Sequence, residues 1–270
     1  MVQLLMLPGV YQAQKKDKTI YYRASITYRN KHISLGSFDN EDSANRAYHT
    51  ADTILKGHAT IEESFYLSRY LPFEKIVSLI NFRDNRIYIP NPIYLHKKYI
   101  DYYLTVSNIL KFDIDDLFYY SSHKIIKRQG HLYVNDYGMQ IRILTRYGIK
   151  PHAVRGRDYL FANGDENDLR YENVVVINPY FGVTQIKERG IIKYRTSIHI
   201  NGNYLIGKYD TVEKAAIAYN KAIDLAKEYG IKKDYQENYI ETMSPKEYAD
   251  LYLNIKISPK YIAYLKGLPN

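Results

Sequence analysis

Apolar and polar side chains alternate with a period of two through Tyr22, Ala24 and Ile26, and again through Ile33 and Leu35. That period predicts two strands with one buried face each, because successive side chains of an extended chain point to opposite sides. The pattern then changes. Ala44, Ala47, Tyr48 and Ala51 recur at helical spacing, and so do Ala215, Ala218, Tyr219 and Ala222 further along the chain. Small residues in that register let a helix lie close against a sheet. Asp39-x-x-Asp42 and Asp210-x-x-Glu213 resemble capping boxes and predict the helix starts there. Hairpin turns are expected at Arg29-Asn30 and at Asn201-Gly202. Asn-Gly is the stronger signal, since both central residues of the tight turn need positive φ.

These parallels belong to an internal repeat in which residues 9 to 51 align with 182 to 222 across two single-residue gaps. Gly9-Val10 matches Gly182-Val183, Tyr22-Arg23-Ala24-Ser25-Ile26 matches Tyr194-Arg195-Thr196-Ser197-Ile198, and Leu35-Gly36-Ser37-Phe38-Asp39 matches Ile206-Gly207-Lys208-Tyr209-Asp210. Each copy leads into an apolar, helix-forming extension, Ile61 to Phe82 and Tyr239 to Leu268. Leu71-Pro72-Phe73-Glu74 and Ser244-Pro245-Lys246-Glu247 predict helix starts inside them, with proline at an early helical position.

Charge turns this repeat from a scaffold into a candidate binding module. The 270 residues carry 38 Lys and Arg against 29 Asp and Glu, and the formal net charge is +9, a balance that suits a polyanionic partner. The excess is local. Residues 9 to 38 hold six basic side chains and one acid, whereas the helix that follows, 39 to 56, holds two and four. Residues 182 to 209 hold five and one, and 210 to 228 hold three and four. If Tyr22, Ala24 and Ile26 face the helix, then Arg23, Ser25 and Thr27 face outward, as do Arg195, Ser197 and His199. A twisted ribbon bearing arginines and hydroxyls fits the major groove of duplex DNA, with flanking cations such as Lys15, Lys31, Arg189 and Lys193 on phosphates. The absence of cysteine removes disulfides, thiolate zinc sites and cysteine nucleophiles. No phosphate loop or cofactor-binding pattern is visible, and no apolar run reaches membrane-spanning length. The apolar Met1 to Leu7 has no basic lead and is cut short by Pro8-Gly9, so no signal peptide is expected.

On Gly-Val, Tyr-Arg-Ala-Ser-Ile, Leu-Gly-Ser-Phe-Asp and the Ala-x-x-Ala-Tyr helix, both copies resemble the Apetala-two/ethylene-response-factor DNA-binding domain. Such domains occur in plants and in bacterial and phage mobile-element proteins. The resemblance implies a three-stranded sheet docked in the major groove with a helix behind it. It carries DNA contact to Arg23, Ser25, Thr27, His32 and Ser34, and to Gln185, Lys187, Arg195, Ser197 and His199. The chain has no tryptophan, and Tyr22 and Tyr194 stand in the usual aromatic position.

Between the copies, Lys124-Ile125-Ile126 and His131-Leu132-Tyr133-Val134 predict a hairpin around Gln129-Gly130, and Gln140 to Tyr147 is helix-like. The segment Leu160-Phe161-Ala162-Asn163-Gly164-Asp165-Glu166-Asn167-Asp168-Leu169-Arg170-Tyr171-Glu172-Asn173-Val174 resembles the core of HNH homing-type endonucleases. In that family a histidine activates water beside a metal ion. Here Phe161 stands in the general-base slot, and Ile141-Arg142 replaces an earlier His-Arg pair. A catalytically dead scaffold without metal is therefore expected. His123, His131 and His152 show no metal-ligand spacing, and His152 is the one to test.

The expected protein is α+β, with a helical stretch after each end module: an Apetala-two-like domain at 1–58, a helical linker at 59–89, a degenerate HNH ββα-type domain at 90–178, a second Apetala-two-like domain at 179–230 and a helical extension at 231–270. The expected function is sequence-specific binding of double-stranded DNA by a transcriptional regulator in the cytoplasm of a bacterial or phage-infected cell. It has no cofactor, membrane or small-molecule partner, and its oligomeric state stays open. The middle domain contributes Lys124, Lys127, Arg128, Arg155 and Arg157 to the DNA surface. Two other readings stay open: an active HNH nuclease, and a phage or plasmid protein that masks DNA or sequesters a host enzyme.

Overall fold

In the computed structural model, which describes residues 6–268, the first alternating stretch becomes an antiparallel sheet of β1 (Val10–Gln14), β2 (Ile20–Tyr28) and β3 (Lys31–Phe38), in that order. Most of the apolar Met1–Leu7 stretch lies outside the described residues. Arg29 and Asn30 both take left-handed φ, 46° and 63°, and close a two-residue hairpin between the paired Tyr28 and Lys31. Val10, Ala24, Ile26, Ile33 and Leu35 are buried on one side of the sheet, with Ala44, Ala47 and Ala51 of α1 (Glu41–Lys56). The cap of α1 is Asn40 instead of the expected Asp39; its side chain accepts the Ser43 N–H at 2.8 Å.

The same core continues into α2 (Ile61–Leu67) and α3 (Phe73–Asn85), through the buried Ile61, Ile76, Leu79, Ile80 and Phe82. Thr60 and Glu63 form a full capping box for α2, while Pro72 lies just outside α3 instead of in its first turn. Arg83 of α3 donates to the carbonyl of Ile54 in the last turn of α1 at 3.1 Å and to that of Ala59 in the following loop at 3.0 Å. The extension is thus part of the first copy's core.

A second sheet follows, of β4 (Ile93–Leu95), β5 (Tyr99–Thr105) and β6 (Asn108–Asp113), with the short α4 (Leu117–Ser122). Buried Ile93, Ile100, Tyr102, Leu110 and Phe112 lie in this sheet, and the ring of Tyr120 packs 4.1 Å from that of Phe112. A third sheet joins β7 (Ile125–Arg128), β8 (His131–Asp136) and β9 (Met139–Arg142), with tight turns at Gln129-Gly130, as expected, and at Tyr137-Gly138. The second turn corrects the helix expected from Gln140. It sends the chain back along β8, so Ile141 pairs with Val134, and only Ile143–Tyr147 makes a short 3-10 helix.

The chain forms two compact units, one running to Ile143 and including Asp165–Asn173, the other comprising Leu144–Gly164 and the chain from Val174. In the second unit β10 (Tyr159–Phe161) pairs with β11 (Val174–Val176). No helix follows β11; the chain passes directly into a sheet of β12 (Val183–Glu188), β13 (Ile191–His199) and β14 (Asn203–Tyr209). The ββα order implied by the endonuclease resemblance is therefore not formed there. Behind the sheet lies α5 (Val212–Glu228), capped by Thr211 instead of Asp210, with Ala215, Ala218 and Ala222 fully buried. The unit ends with α6 (Pro245–Asn254), started by a Ser244–Glu247 capping box, and α7 (Pro259–Lys266). The architecture among the described residues is α+β, and none of these helices is long and apolar enough to cross a membrane.

The two copies are built alike at a level the sequence only outlines. Both third strands carry a bulge, with Leu35 and Ile206 the extra residues, opposite the matched steps Ala24/Ser25 and Thr196/Ser197. In both copies, the residue after that step donates its N–H to the matched glycine, Ser25 to Gly9 at 3.0 Å and Ser197 to Gly182 at 2.8 Å. Each glycine lies against a helix tyrosine so closely that a Cβ would stand 2.0 Å from Tyr48 Cδ2 or 2.1 Å from Tyr219 Cδ2.

Candidate nucleic-acid interface

Strand register sorts the side chains of each sheet between a face covered by its helix and an outer one. In the first sheet Arg23 stands between Tyr11 and Ser37, Ser25 faces Ser34, and Thr27 faces His32. These make the outer face, with a shallow concavity of about 510 Å³ bordered by Tyr11, Arg23, Ser25, His32 and Ser34. Ser25 was expected to be open; the bulge leaves it only 8% exposed, although its side chain still borders the concavity. Thr27 Oγ1 and His32 Nδ1 lie 3.5 Å apart. Arg23 has no carboxylate partner among the described residues. Lys15 is exposed in the β1–β2 loop, where Asp17 accepts the Thr19 N–H at 3.0 Å, a bond that holds its carboxyl below the usual range. Lys31 departs from expectation. It sits opposite Tyr28 with its ammonium 5.8 Å from the ring of Tyr88, on the side away from Arg23.

The second sheet places Arg195 between Thr184 and Lys208, Lys193 opposite Ile186, Ser197 opposite Leu205 and His199 opposite Asn203. His199 Nδ1 and Asn203 Oδ1 are 3.0 Å apart. Gln185 and Lys187 are exposed but pair with Tyr194 and Ile192, which puts them on the face opposite Arg195. The outer residues of β12 are instead Thr184, Ile186 and Glu188. Glu188 is ion-paired to Lys208, which lowers its carboxyl pKa and neutralises the one acid on that face. Arg189 and Gly190 form the tight turn before β13, with φ of 50° and 84°. Thr184, Ile186, Leu205 and Lys208 were missed because parity can be counted across strands only once the pairing of β12 and β14 is known.

The middle cations are all exposed, but four of the five engage groups of the chain itself. Lys124 pairs with Glu74 at 2.5 Å, and Arg128 donates to Gln140 at 3.2 Å, while Lys127 is exposed on β7. Arg157 pairs with Asp158 at 2.6 Å; Arg155 donates to the Gly164 carbonyl at 3.2 Å and lies 5.3 Å from the ring of Phe161. Phe161 itself is buried in the β10–β11 hairpin opposite Val174.

In the loop 165–173, Asp168 receives Arg170 through two bonds of 2.9 and 2.7 Å. Asn173 donates to the carbonyls of Asp165 and Asp168, and the Asp165 side chain accepts the Asn167 N–H at 2.9 Å. The polar motif residues thus build the loop. Among the described residues no group of three or more His, Asp or Glu is placed to hold a metal ion. His152 is exposed, and His131 lies 2.9 Å from Arg142.

Comparison with protein-family models, with curated proteins and with solved structures finds no match for this chain.

Proposed function

We propose that this protein binds double-stranded DNA through the outer faces of its β1–β3 and β12–β14 sheets and regulates transcription without cutting the duplex. The observation that carries this reading is the recurrence of Arg23 and Arg195 at matched central positions, each beside a serine on the face its helix leaves uncovered. Arginine on an extended ribbon reaches guanine edges in the major groove, and the exposed Lys15, Lys16 and Arg189 supply phosphate contacts. Two sheets on one chain make the second contact intramolecular and lengthen the sequence that is read. Binding without cleavage is favoured by Phe161 in the general-base slot and by the engagement of Asp168 with Arg170.

Selection from a random duplex pool followed by titration against salt tests the reading. Affinity should fall steeply with salt. Arg23→Ala and Arg195→Ala should each cost about 1–3 kcal/mol on the selected site and much less on random DNA, whereas Lys15→Ala should weaken both alike. A flat salt dependence removes DNA as the partner. Magnesium- or manganese-dependent nicking that disappears in His152→Ala makes the protein a nuclease instead.

A further inference from the structure

At matched positions the two outer faces differ in chemistry. Ser25 faces Ser34 in the first sheet, whereas Ser197 faces Leu205 in the second, and Ala13 is replaced by Ile186. Leu205 is 46% exposed and Ile191, on the same face, 62%. An aliphatic face of this kind, left open, normally marks contact with another surface. Here it is interleaved with Arg195 and Lys193, while Glu188, its acid, is tied to Lys208, so the surrounding charge suits a polyanion. Within a major groove the apolar feature available to such side chains is the thymine 5-methyl group.

We infer that the two sheets read different half-sites: the first a guanine-containing one through Arg23 and its hydroxyl neighbours, the second one that also holds thymines, whose methyl groups pack against Leu205 and Ile186. This rests on the DNA-binding reading. It makes the recognised site asymmetric although the modules are repeats, and so gives the bound protein a direction along the duplex.

The test uses the full chain and its selected duplex, with each thymine replaced in turn by deoxyuridine, which removes only the methyl group. Burial of one methyl is worth about fourfold in affinity. Wild-type protein should lose about that factor at one or two thymines in one half-site and nowhere in the other. Leu205→Ser, which installs the first sheet's residue at an exposed position, should abolish the loss at one thymine. Ile186→Ala should do so at another, and both should keep the wild-type unfolding midpoint and steep salt dependence. Specific, salt-sensitive binding that is indifferent to every deoxyuridine replacement overturns the inference and leaves the DNA reading intact; an aliphatic face used for protein contact gives this result. Failure to enrich any duplex removes both.

Discussion

Val10, Ala24, Ile26 and Leu35 line the helix side of the first sheet; Val183, Thr196, Ile198 and Ile206 hold the matched places in the second, and all eight are buried. Even the one polar exchange obeys the packing, since Thr196 donates its hydroxyl to the Ala215 carbonyl of α5 at 2.8 Å. The outer faces follow no such rule. Tyr11 becomes Thr184, Ser34 becomes Leu205 and Ser37 becomes Lys208, while Arg23 and Arg195 stay the same. A helix laid tightly on a sheet restricts every inner volume to within a methyl or two. No packing constraint acts on the outer side, so what is shared or changed there points to use. The retained arginine argues for a common partner and the changed neighbours for different detail.

Substitutions at the glycine–tyrosine contacts strain this comparison most. Gly9 and Gly182 have φ of 73° and 69°, and a Cβ would stand 2.0 and 2.1 Å from the facing tyrosine ring. Gly9→Ala and Gly182→Ala should each cost about 2–4 kcal/mol, from overpacking and a left-handed alanine together. Denaturant unfolding measures this. A cost below about 1 kcal/mol at either position would show that helix and sheet separate freely there, and the inner faces would no longer be equivalent.

An intermediate effect should be confined to the second copy. Lys150 has its ammonium buried without a hydrogen-bond partner, 4.2 Å from the ring of Phe181, the residue matched by Pro8 in the first copy. Burial pushes its pKa down to about 7, with Asp158 pulling weakly the other way. The folded value lies below the unfolded 10.5, so in that interval the unfolded chain binds the extra proton. Stability of the second unit should fall as pH drops from about 10.5 to about 7 and change little below that on this account. Lys150→Met should flatten the profile and raise stability at neutral pH, as seen by urea titration at several pH values. An unchanged slope would place the amine in water.

Residues whose role depends on local pattern were legible in the sequence. The alanine spacing gave α1 and α5, the alternation gave β2 and β3, and Gln129-Gly130 gave its turn. Helix starts were one residue off at Asn40 and Thr211, because Asp39 and Asp210 offered equally good cap chemistry and only the path of the preceding strand decides between neighbours. The outer face was legible in its middle strands alone. Arg23 and Arg195 followed from period two within one strand, but Gln185, Lys187 and Lys31 were assigned without the cross-strand register that turns them away. Nothing in the local sequence of Lys150 announces its burial against Phe181, which depends on a contact across 31 residues.

The smallest expected effect concerns the turns, where the two copies exchange roles. Asn201-Gly202, the better sequence signal, does not form the left-handed pair. One of the two single-residue gaps of the repeat falls in this hairpin, leaving three residues between the paired His199 and Asn203 where four separate Thr27 and His32. Gly202 accordingly has no left-handed φ and nothing within 4 Å of a Cβ built on it. Gly190, equally open, has φ of 84° in the Arg189-Gly190 turn, the kind of turn the first copy makes with Arg29-Asn30. Gly190→Ala should therefore cost about 1 kcal/mol through backbone strain alone. Gly202→Ala should be neutral or stabilise by up to about 1 kcal/mol, since it restricts the unfolded chain without straining the folded one. Thermal midpoints of the two variants decide the matter: a Gly202→Ala loss as large as that of Gly190→Ala would mean that the second hairpin closes through a left-handed Asn-Gly turn after all, and that the two copies differ less in their turns than their register implies.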